Sequence, residues 1–140
     1  MRAFIDSNIF IYAAQSHPNF GKACRQIIED IEKEKISAIT SSLNISEIGE
    51  VISRYVGKAE AVEAVELVSA LPMGIEPVTK ENTIDAISIY CKYNINYADA
   101  VMVSVMREKF IDTIITNDKH FVKVKKLIVI KPNRYKPQNQ

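Results

Sequence analysis

Short β-branched runs alternate along this chain with longer segments in which apolar residues recur every three or four positions. The β-branched runs predict strands and the helical spacing predicts helices. The predicted strands cover residues 2–5, 36–40, 75–78, 113–116 and 127–130. The predicted helices cover residues 8–14, 19–35, 43–56, 58–70, 80–93 and 97–109, and Thr79 and Asn96 stand where N-caps of the last two would lie.

Strands that are separated by helices pair in parallel, because a parallel neighbour needs a crossover connection. The predicted strands are also continuously apolar, which is typical of a sheet that is covered on both faces. The pattern therefore predicts an α/β fold, namely a single three-layer α/β/α domain around a central, mainly parallel sheet. We expect this domain to span residues 1–131 and a basic, polar C-terminal tail, residues 132–140, to lie outside the core.

Composition agrees with one globular domain. The chain has 140 residues, of which 47% are hydrophobic and 25% are charged. No apolar run is long enough to span a bilayer, and Asp6 interrupts any secretory pattern at the N-terminus. We therefore expect a cytoplasmic protein that does not enter a membrane.

The two cysteines, Cys24 and Cys91, are too few for a disulfide framework. Both fall on apolar helical stripes, so we expect both in the core.

The net charge of +1 conceals an asymmetry along the chain. No acidic residue follows Asp118, whereas seven lysines and arginines do. A basic segment beside an acidic body is typical of a surface that binds phosphate, although a solvated face and a loose tail remain the alternative. The candidate RNA-binding residues in this segment are Lys119, Lys123, Lys125 and Lys126.

Four carboxylates are placed where a parallel sheet binds its ligands, beyond the carboxyl ends of the strands. Asp6 directly follows the first predicted strand and Asp118 comes just after the fourth. Glu47 lies early in the helix after the second strand, and Asp99 lies in the first turn of the helix before the fourth. These four side chains could therefore converge at one edge of the sheet, although they are far apart in sequence.

Each of these acids also has an ordinary structural explanation. Asp6 could cap the first helix, Asp99 could be the acidic arm of a capping box, and Asp118 could lie in a turn. Glu47 lies at the rim of the buried face of its helix and needs a partner there, which Arg54 could supply. Convergence of the four is thus a hypothesis that the fold has to test.

If the four carboxylates converge, they raise each other's pKa by repulsion, and a divalent cation removes that cost. Ligand oxygens without nearby His or Cys suit a hard ion such as Mg²⁺ or Mn²⁺. Such an ion would activate a water and stabilise the charge that develops on a phosphodiester during hydrolysis. The residues therefore favour metal-dependent chemistry on phosphates.

Four short motifs carry the acids. They are Phe-Ile-Asp-Ser-Asn-Ile-Phe at 4–10, Ile-Ser-Glu-Ile at 45–48, Tyr-Ala-Asp-Ala at 97–100 and Ile-Thr-Asn-Asp-Lys-His-Phe at 115–121. In this order and spacing, over about residues 2–130, the chain resembles the PIN-domain ribonucleases, and in particular the toxin subunit of VapBC toxin–antitoxin pairs.

The resemblance implies an α/β/α endoribonuclease that cleaves RNA with Mg²⁺ or Mn²⁺. It also implies a homodimer and a cognate antitoxin that inserts a side chain into the acidic pocket. The residues that it implies are four metal ligands, Asp6, Glu47, Asp99 and Asp118, with supporting side chains at Asn8 and Thr116. His120 stands where many relatives carry a further acid, so the resemblance leaves open whether one or two metal ions are bound.

Three alternatives remain open at this point. A housekeeping nuclease that processes RNA would carry the same acids as a toxin. A non-catalytic module that only binds RNA or a partner would not need all four acids. A receiver-like signalling domain usually has paired acids after the first strand, whereas Asp6 has no acidic neighbour here.

Overall fold

The computed structural model describes residues 1–138, and within them five strands alternate with six helices. The strands are β1 (Arg2–Ile5), β2 (Ser37–Ser41), β3 (Gly74–Glu76), β4 (Thr113–Ile115) and β5 (Ile128–Ile130). The helices are α1 (Ser7–Ala14), α2 (Gly21–Glu32), α3 (Ser42–Tyr55), α4 (Lys58–Ala70), α5 (Lys80–Tyr93) and α6 (Tyr97–Glu108). Two short 3₁₀ turns, Lys119–Lys123 and Pro132–Arg134, flank β5.

The five strands form one sheet in the order β3-β2-β1-β4-β5, and every neighbouring pair is parallel. The predicted parallel sheet is therefore confirmed. Phe4 in β1 stands opposite Ile39 in β2 on one side and Ile114 in β4 on the other. Each connection between strands runs over a face of the sheet, as parallel pairing requires.

Alternation along β1 divides the apolar residues between two cores, one on each face of the sheet. Ala3 and Ile5 pack with residues of α1 to α4, whereas Phe4 packs with residues of α5 and α6. In β4, Ile115 and Ile114 divide between the same two cores. Successive side chains of a strand point to opposite faces, so two continuous cores make this a three-layer α/β/α fold, as predicted.

The strand order places β1 beside β4 at the centre of the sheet, where the direction of the winding reverses. The carboxyl ends of these strands therefore lie side by side, and the backbone N–H of Asp6 donates to the carbonyl of Ile115 at 3.1 Å. In open parallel sheets the crevice at such a reversal is the usual place for a ligand. The fold thus brings the residues after β1 and after β4 to one place.

Both predicted N-caps are confirmed. Thr79 accepts from the backbone N–H of Asn82, and the Asn82 side chain accepts from the backbone of Thr79 in return. Asn96 accepts from the backbone N–H of Asp99 at 2.8 Å. The second cap fixes the start of α6, and with it the position of Asp99.

The two cysteines differ in burial. Cys24 is buried as expected, whereas Cys91 is exposed on α5, so the prediction of a core residue there is wrong. The helix face that carries Cys91 is apolar, but no other segment of the described chain packs over it.

None of the helices within residues 1–138 has the length and apolar character needed to cross a membrane.

The segment after β5 packs more closely than predicted. Pro132 is buried, and the Tyr135 hydroxyl donates to the carboxylate of Asp30 at 2.6 Å. The expectation that residues from 132 onward lie outside the core is therefore wrong for these two. The reason is that Asp30, only 1% exposed on α2, needs hydrogen-bond donors, and the tail supplies them. The division into a domain and a tail at residue 131 stays a prediction, and residues 139–140 lie outside the described residues.

Candidate metal centre

Asp6 joins the ends of β1 and β4. Its Oδ1 accepts from the backbone N–H of Ser7 at 2.7 Å and thereby caps α1, which was the ordinary structural explanation for Asp6. Its Oδ2 accepts from the Thr116 hydroxyl at 2.6 Å and from Nδ2 of Asn8 at 3.3 Å. The carboxylate is only 5% exposed. Asp6 therefore has a capping role, and its second oxygen faces the residues that follow β4.

The chain after β4 is held against Asp6 by the two supporting side chains. The Thr116 hydroxyl accepts from the backbone N–H of Asp118 at 2.9 Å, and Oδ1 of Asn8 accepts from the backbone N–H of Asn117 at 3.2 Å. Asp118 in turn accepts from the backbone N–H of His120 at 2.8 Å and begins the 3₁₀ turn. Asp118 is thus positioned by local hydrogen bonds, while the His120 side chain is exposed.

Glu47 reaches the same edge from α3. The helix follows β2 without a loop and is capped by Ser41, which places Glu47 in its second turn, close to the carboxyl end of β1. Its Oε2 accepts from the Ser7 hydroxyl at 2.9 Å. Arg54 pairs instead with Glu50 at 2.8 Å, so the alternative partner for Glu47 is wrong. The carboxylate is half-buried and is directed toward the chain that follows Asp6.

Asp99 differs from the other three acids because, among the described residues, it alone has a buried carboxylate oxygen without a hydrogen-bond partner. The residue is 6% exposed in the first turn of α6. Within residues 1–138 its buried Oδ2 forms no hydrogen bond, and its side chain makes no return bond to the N-cap. The capping-box alternative is therefore wrong for this side chain. A buried, unpartnered carboxylate oxygen is costly, and folding alone does not account for it.

The pKa values show that the four acids share one electrostatic field. Burial raises the pKa of Asp6, against the Thr116 hydrogen bond, and burial also raises the pKa of Glu47. Burial, followed by the charges of Asp118, Asp6 and Glu47, raises the pKa of Asp99 to about 7. The charge of each of the other three acids thus raises the pKa of Asp99.

The donor set fits a hard cation, although its side chains are not arranged as ligands. Among residues 1–138, no three His, Cys, Asp or Glu side chains meet the spacing that would hold a metal ion. Asp6, Glu47 and Asp118 face protein donors instead. The candidate ligand atoms of these acids are nevertheless carboxylate oxygens, and the unpartnered Oδ2 of Asp99 offers a free ligand atom. The residues therefore fit Mg²⁺ or Mn²⁺ by the chemistry of their oxygens.

A buried hydrogen-bond network, which the sequence did not predict, lies behind the acids. Asn44 is fully buried, and its Nδ2 donates to the Ser7 hydroxyl at 2.8 Å and to Asp6 at 3.4 Å. Its Oδ1 accepts from the Ser41 hydroxyl. The signal was present in the sequence, because Asn44 lies one helical turn before Glu47 and Ser7 directly follows Asp6. Asn44 thus orients the serine that links two of the acids.

The basic segment is divided between the two ends of the sheet. Lys119 is exposed directly after Asp118, and Lys123 donates to a backbone carbonyl at the end of α5 at 3.4 Å. Lys125 and Lys126 instead precede β5, at the amino ends of the strands. The expectation of one basic face beside the acids is therefore wrong for these two lysines, since the chain crosses the sheet between residues 118 and 128.

Comparison with protein families gives one match that covers most of the chain. A family profile described as PIN domain matches residues 3–127. No curated protein sequence matches the chain significantly.

Several solved structures share the fold at low sequence identity. VapBC2 from Rickettsia felis, bound to a promoter DNA fragment, has a TM-score of 0.73 at 18% identity, covering 94% of this chain and 98% of that chain. VapC20 from Mycobacterium tuberculosis, described as a Sarcin-Ricin loop cleaving toxin, has a TM-score of 0.69 at 17% identity, with coverage of 80% and 86%. DNA-bound VapBC from Salmonella typhimurium has a TM-score of 0.71 at 14% identity, with coverage of 94% and 99%.

Proposed function

The chain belongs to the PIN domain family, and from this membership we propose that it is a divalent-metal-dependent endoribonuclease, the toxin of a toxin–antitoxin pair. The observation that carries the proposal is the position of Asp99, whose buried and unpartnered oxygen lies in the field of three other acids. The related fold of VapC20, a toxin that cleaves the Sarcin-Ricin loop, supports RNA as the substrate.

Four residues would hold the metal ion, namely Asp6, Glu47, Asp99 and Asp118. When bound, Mg²⁺ or Mn²⁺ supplies Lewis-acid stabilisation of phosphate charge and lowers the pKa of water. Their oxygens match the preference of these ions, and the family contains nucleases that depend on them. Whether one or two ions bind is a question for metal titration, because His120 is exposed where relatives carry an acid.

The remaining polar residues of the site hold the acids in position. Thr116 and Asn8 keep Asp6 and the loop after β4 together, while Ser7 orients Glu47.

A proton on Asp99 relieves the repulsion among the acids below about pH 7. Because cations compete with that proton, we expect metal affinity, and with it activity, to rise as the pH increases through this range.

An apolar groove supports the proposal of an antitoxin partner. The groove has a volume of about 230 Å³ between α1, α2 and α4, and its lining includes Phe10, Ile28, Leu67, Val68 and Leu71. Leu67 is 63% exposed there. Related folds come from VapBC complexes, and we propose that an apolar segment of a cognate antitoxin covers this groove.

An exposed apolar face on α5 supports a homodimer. Ile84, Ile87 and Tyr90 are each at least 44% exposed and follow one another at helical spacing. We propose that two copies pack through this face in the cytoplasm. Light scattering should report a dimer for the wild type and a monomer for Ile87→Asp, whereas a dimeric variant would place the interface elsewhere.

The central experiment is cleavage of a mixed, structured RNA pool with Mg²⁺, Mn²⁺ or EDTA. We expect the wild type to cut only with a metal ion, and Asp99→Asn to lose cleavage because a proposed metal ligand is gone. Glu66→Gln removes a carboxylate from the exposed face of α4 and serves as the matched control, which should cut normally. Equal cutting by wild type and Asp99→Asn would contradict the proposal.

Other outcomes separate the alternatives. Binding of RNA without cleavage in metal-replete buffer would indicate a non-catalytic module, and labelling by a small phosphodonor would indicate a receiver-like domain. Growth arrest on expression, relieved by a partner protein, would distinguish a toxin from a nuclease with a housekeeping role.

A further inference from the structure

A second charged region lies at the opposite edge of the sheet from the acids. It is a cleft of about 560 Å³ between the ends of α5 and α6 and the segments that precede β4 and β5. Its lining contains one acid, Asp112, and four cations, namely Lys92, Arg107, Lys125 and Lys126. Within the described part of the chain, none of these cations forms an ion pair. The cleft therefore carries a concentration of positive charge that no ion pair among the described residues neutralises.

An aromatic ring forms the wall beneath two of these cations. Tyr93 is 9% exposed, with Nζ of Lys92 5.3 Å and the guanidinium of Arg107 6.0 Å from its ring centroid. Burial raises the pKa of the Tyr93 hydroxyl, but these cations outweigh it and the pKa is lowered overall. The ring and the cations thus form one positively charged surface.

Phe110 at the rim has no explanation in the fold. Its side chain is 89% exposed, and its φ of 56° lies in the left-handed region. The backbone N–H of Phe110 donates to Arg107 at 3.1 Å and that of Ile111 donates to Met106 at 2.9 Å. This pattern is a Schellman motif, in which glycine normally occupies the position that Phe110 takes. A strained, exposed phenylalanine neither packs nor relieves the backbone, so its ring is available to a ligand.

We propose that this cleft binds single-stranded RNA, with the phosphates on Lys125, Lys126 and Arg107 and a base stacked on Phe110. Proteins that hold single strands combine a positively charged groove with aromatic rings that stack on bases. An acidic polypeptide would match the cations but would leave the exposed ring without a role. Only the choice of RNA over DNA rests on the proposed function. Because the cleft lies at the amino ends of the strands, it would bind a part of the RNA away from the acidic site.

The first test measures binding to a fluorescent oligouridine by anisotropy, with the full chain in EDTA so that no metal-dependent cutting occurs. We compare wild type with Lys125→Ala/Lys126→Ala and with Lys22→Ala/Lys58→Ala, which removes the same charge from exposed positions on α2 and α4. Loss of two phosphate contacts should make the slope of log affinity against log salt shallower by about 1.4. The control pair should keep the wild-type slope, and an equal change in both pairs would overturn the proposal.

The second test addresses the stacked base. Phe110→Ala should weaken binding by about fivefold or more, whereas Phe110→Trp should retain it. The chain contains no tryptophan, so that variant carries a single tryptophan whose emission should be quenched by oligouridine. Wild-type affinity in Phe110→Ala would contradict stacking. Equal quenching by polyglutamate would assign the cleft to an acidic polypeptide instead.

These outcomes are separable from the test of the nuclease. Asp99→Asn should bind oligouridine in EDTA as the wild type does, because the acids lie at the other edge. If the protein cleaves RNA while the variants at Lys125, Lys126 and Phe110 bind and cleave normally, the cleft proposal fails and the nuclease proposal stands. If no RNA binds to the wild type in EDTA, the cleft proposal fails by itself.

Discussion

The carboxyl and amino edges of the central sheet carry opposite charges and are built in different ways. At the carboxyl edge, Asp6 and Asp99 are buried, and hydrogen bonds from Thr116 and Ser7 hold the carboxylates of Asp6 and Glu47. At the amino edge, the cations of the cleft are exposed, and no ion pair among the described residues restrains them.

The difference follows from what burial demands of a charge. A buried carboxylate is costly unless its oxygens have partners, so its neighbours are restricted in type and position. An exposed lysine is solvated wherever it stands, so its neighbours are unrestricted. The acidic edge is consequently held by hydrogen bonds and carries recognisable sequence motifs. The basic edge is an exposed surface whose residues come together only in the fold.

The largest expected effect comes from making the same change at both edges. Asp118→Asn should reduce RNA cleavage by at least about a hundredfold, because a group that organises charge at the site is lost. Asp112→Asn, in the basic cleft, should cut at least as well as the wild type. Initial cleavage rates in Mg²⁺ measure both. If the two variants lose activity equally, the functional contrast between the edges is wrong.

The buried network gives the next largest effect. Asn44→Ala leaves Ser41 and Ser7 without their shared partner, so the free energy of unfolding should fall by about 2–3 kcal/mol. Urea denaturation in EDTA measures this change. Ser46→Ala, which removes an exposed hydroxyl two residues further along α3, is the control and should be nearly neutral. A neutral Asn44→Ala would show that the acidic edge is less rigid than its hydrogen bonds indicate.

The same contrast explains how far the sequence could predict this molecule. Apolar periodicity predicted the α-helices, β-branched runs predicted the strands, and strand–helix order predicted parallel pairing, because all three reflect burial of whole segments. The acids were found from their places after strands and from four motifs. Asn44 was missed because a buried amide looks like any polar residue on a helix. The path of residues 119–127 was missed because a 3₁₀ turn leaves no periodic pattern, so Lys125 was expected beside the acids.

Protonation of Asp99 gives a smaller effect with a defined sign. Its pKa is about 7 in the folded protein, and about 3.9 is usual for an unfolded aspartate. The folded state therefore binds the extra proton, so this stabilisation is complete below about pH 4 and is lost as the pH rises through 7. Asp99→Asn should remove that dependence. In EDTA at pH 8 the variant should be more stable than the wild type by about 1–2 kcal/mol, after allowance for solvent screening.

Thermal unfolding from pH 4 to pH 8 measures this difference, and Asp112→Asn is the control because its carboxylate is exposed at the other edge. The control should keep the pH dependence of the wild type. A variant at Asp99 whose stability falls with pH as steeply as that of the wild type would show that other groups at the acidic edge dominate the titration.

The smallest effect tests the basic edge by a gain of stability. Phe110→Gly places glycine at a left-handed position without removing buried contacts, since the side chain is 89% exposed. The variant should therefore unfold with about 1 kcal/mol more free energy than the wild type. It should also bind oligouridine as weakly as Phe110→Ala. A gain of stability with loss of binding would mean that the strained backbone at Phe110 is retained because the ring binds the ligand. A loss of stability would mean that Phe110 stabilises the folded protein. In that case the basic edge would not have the ligand-binding role proposed for the ring.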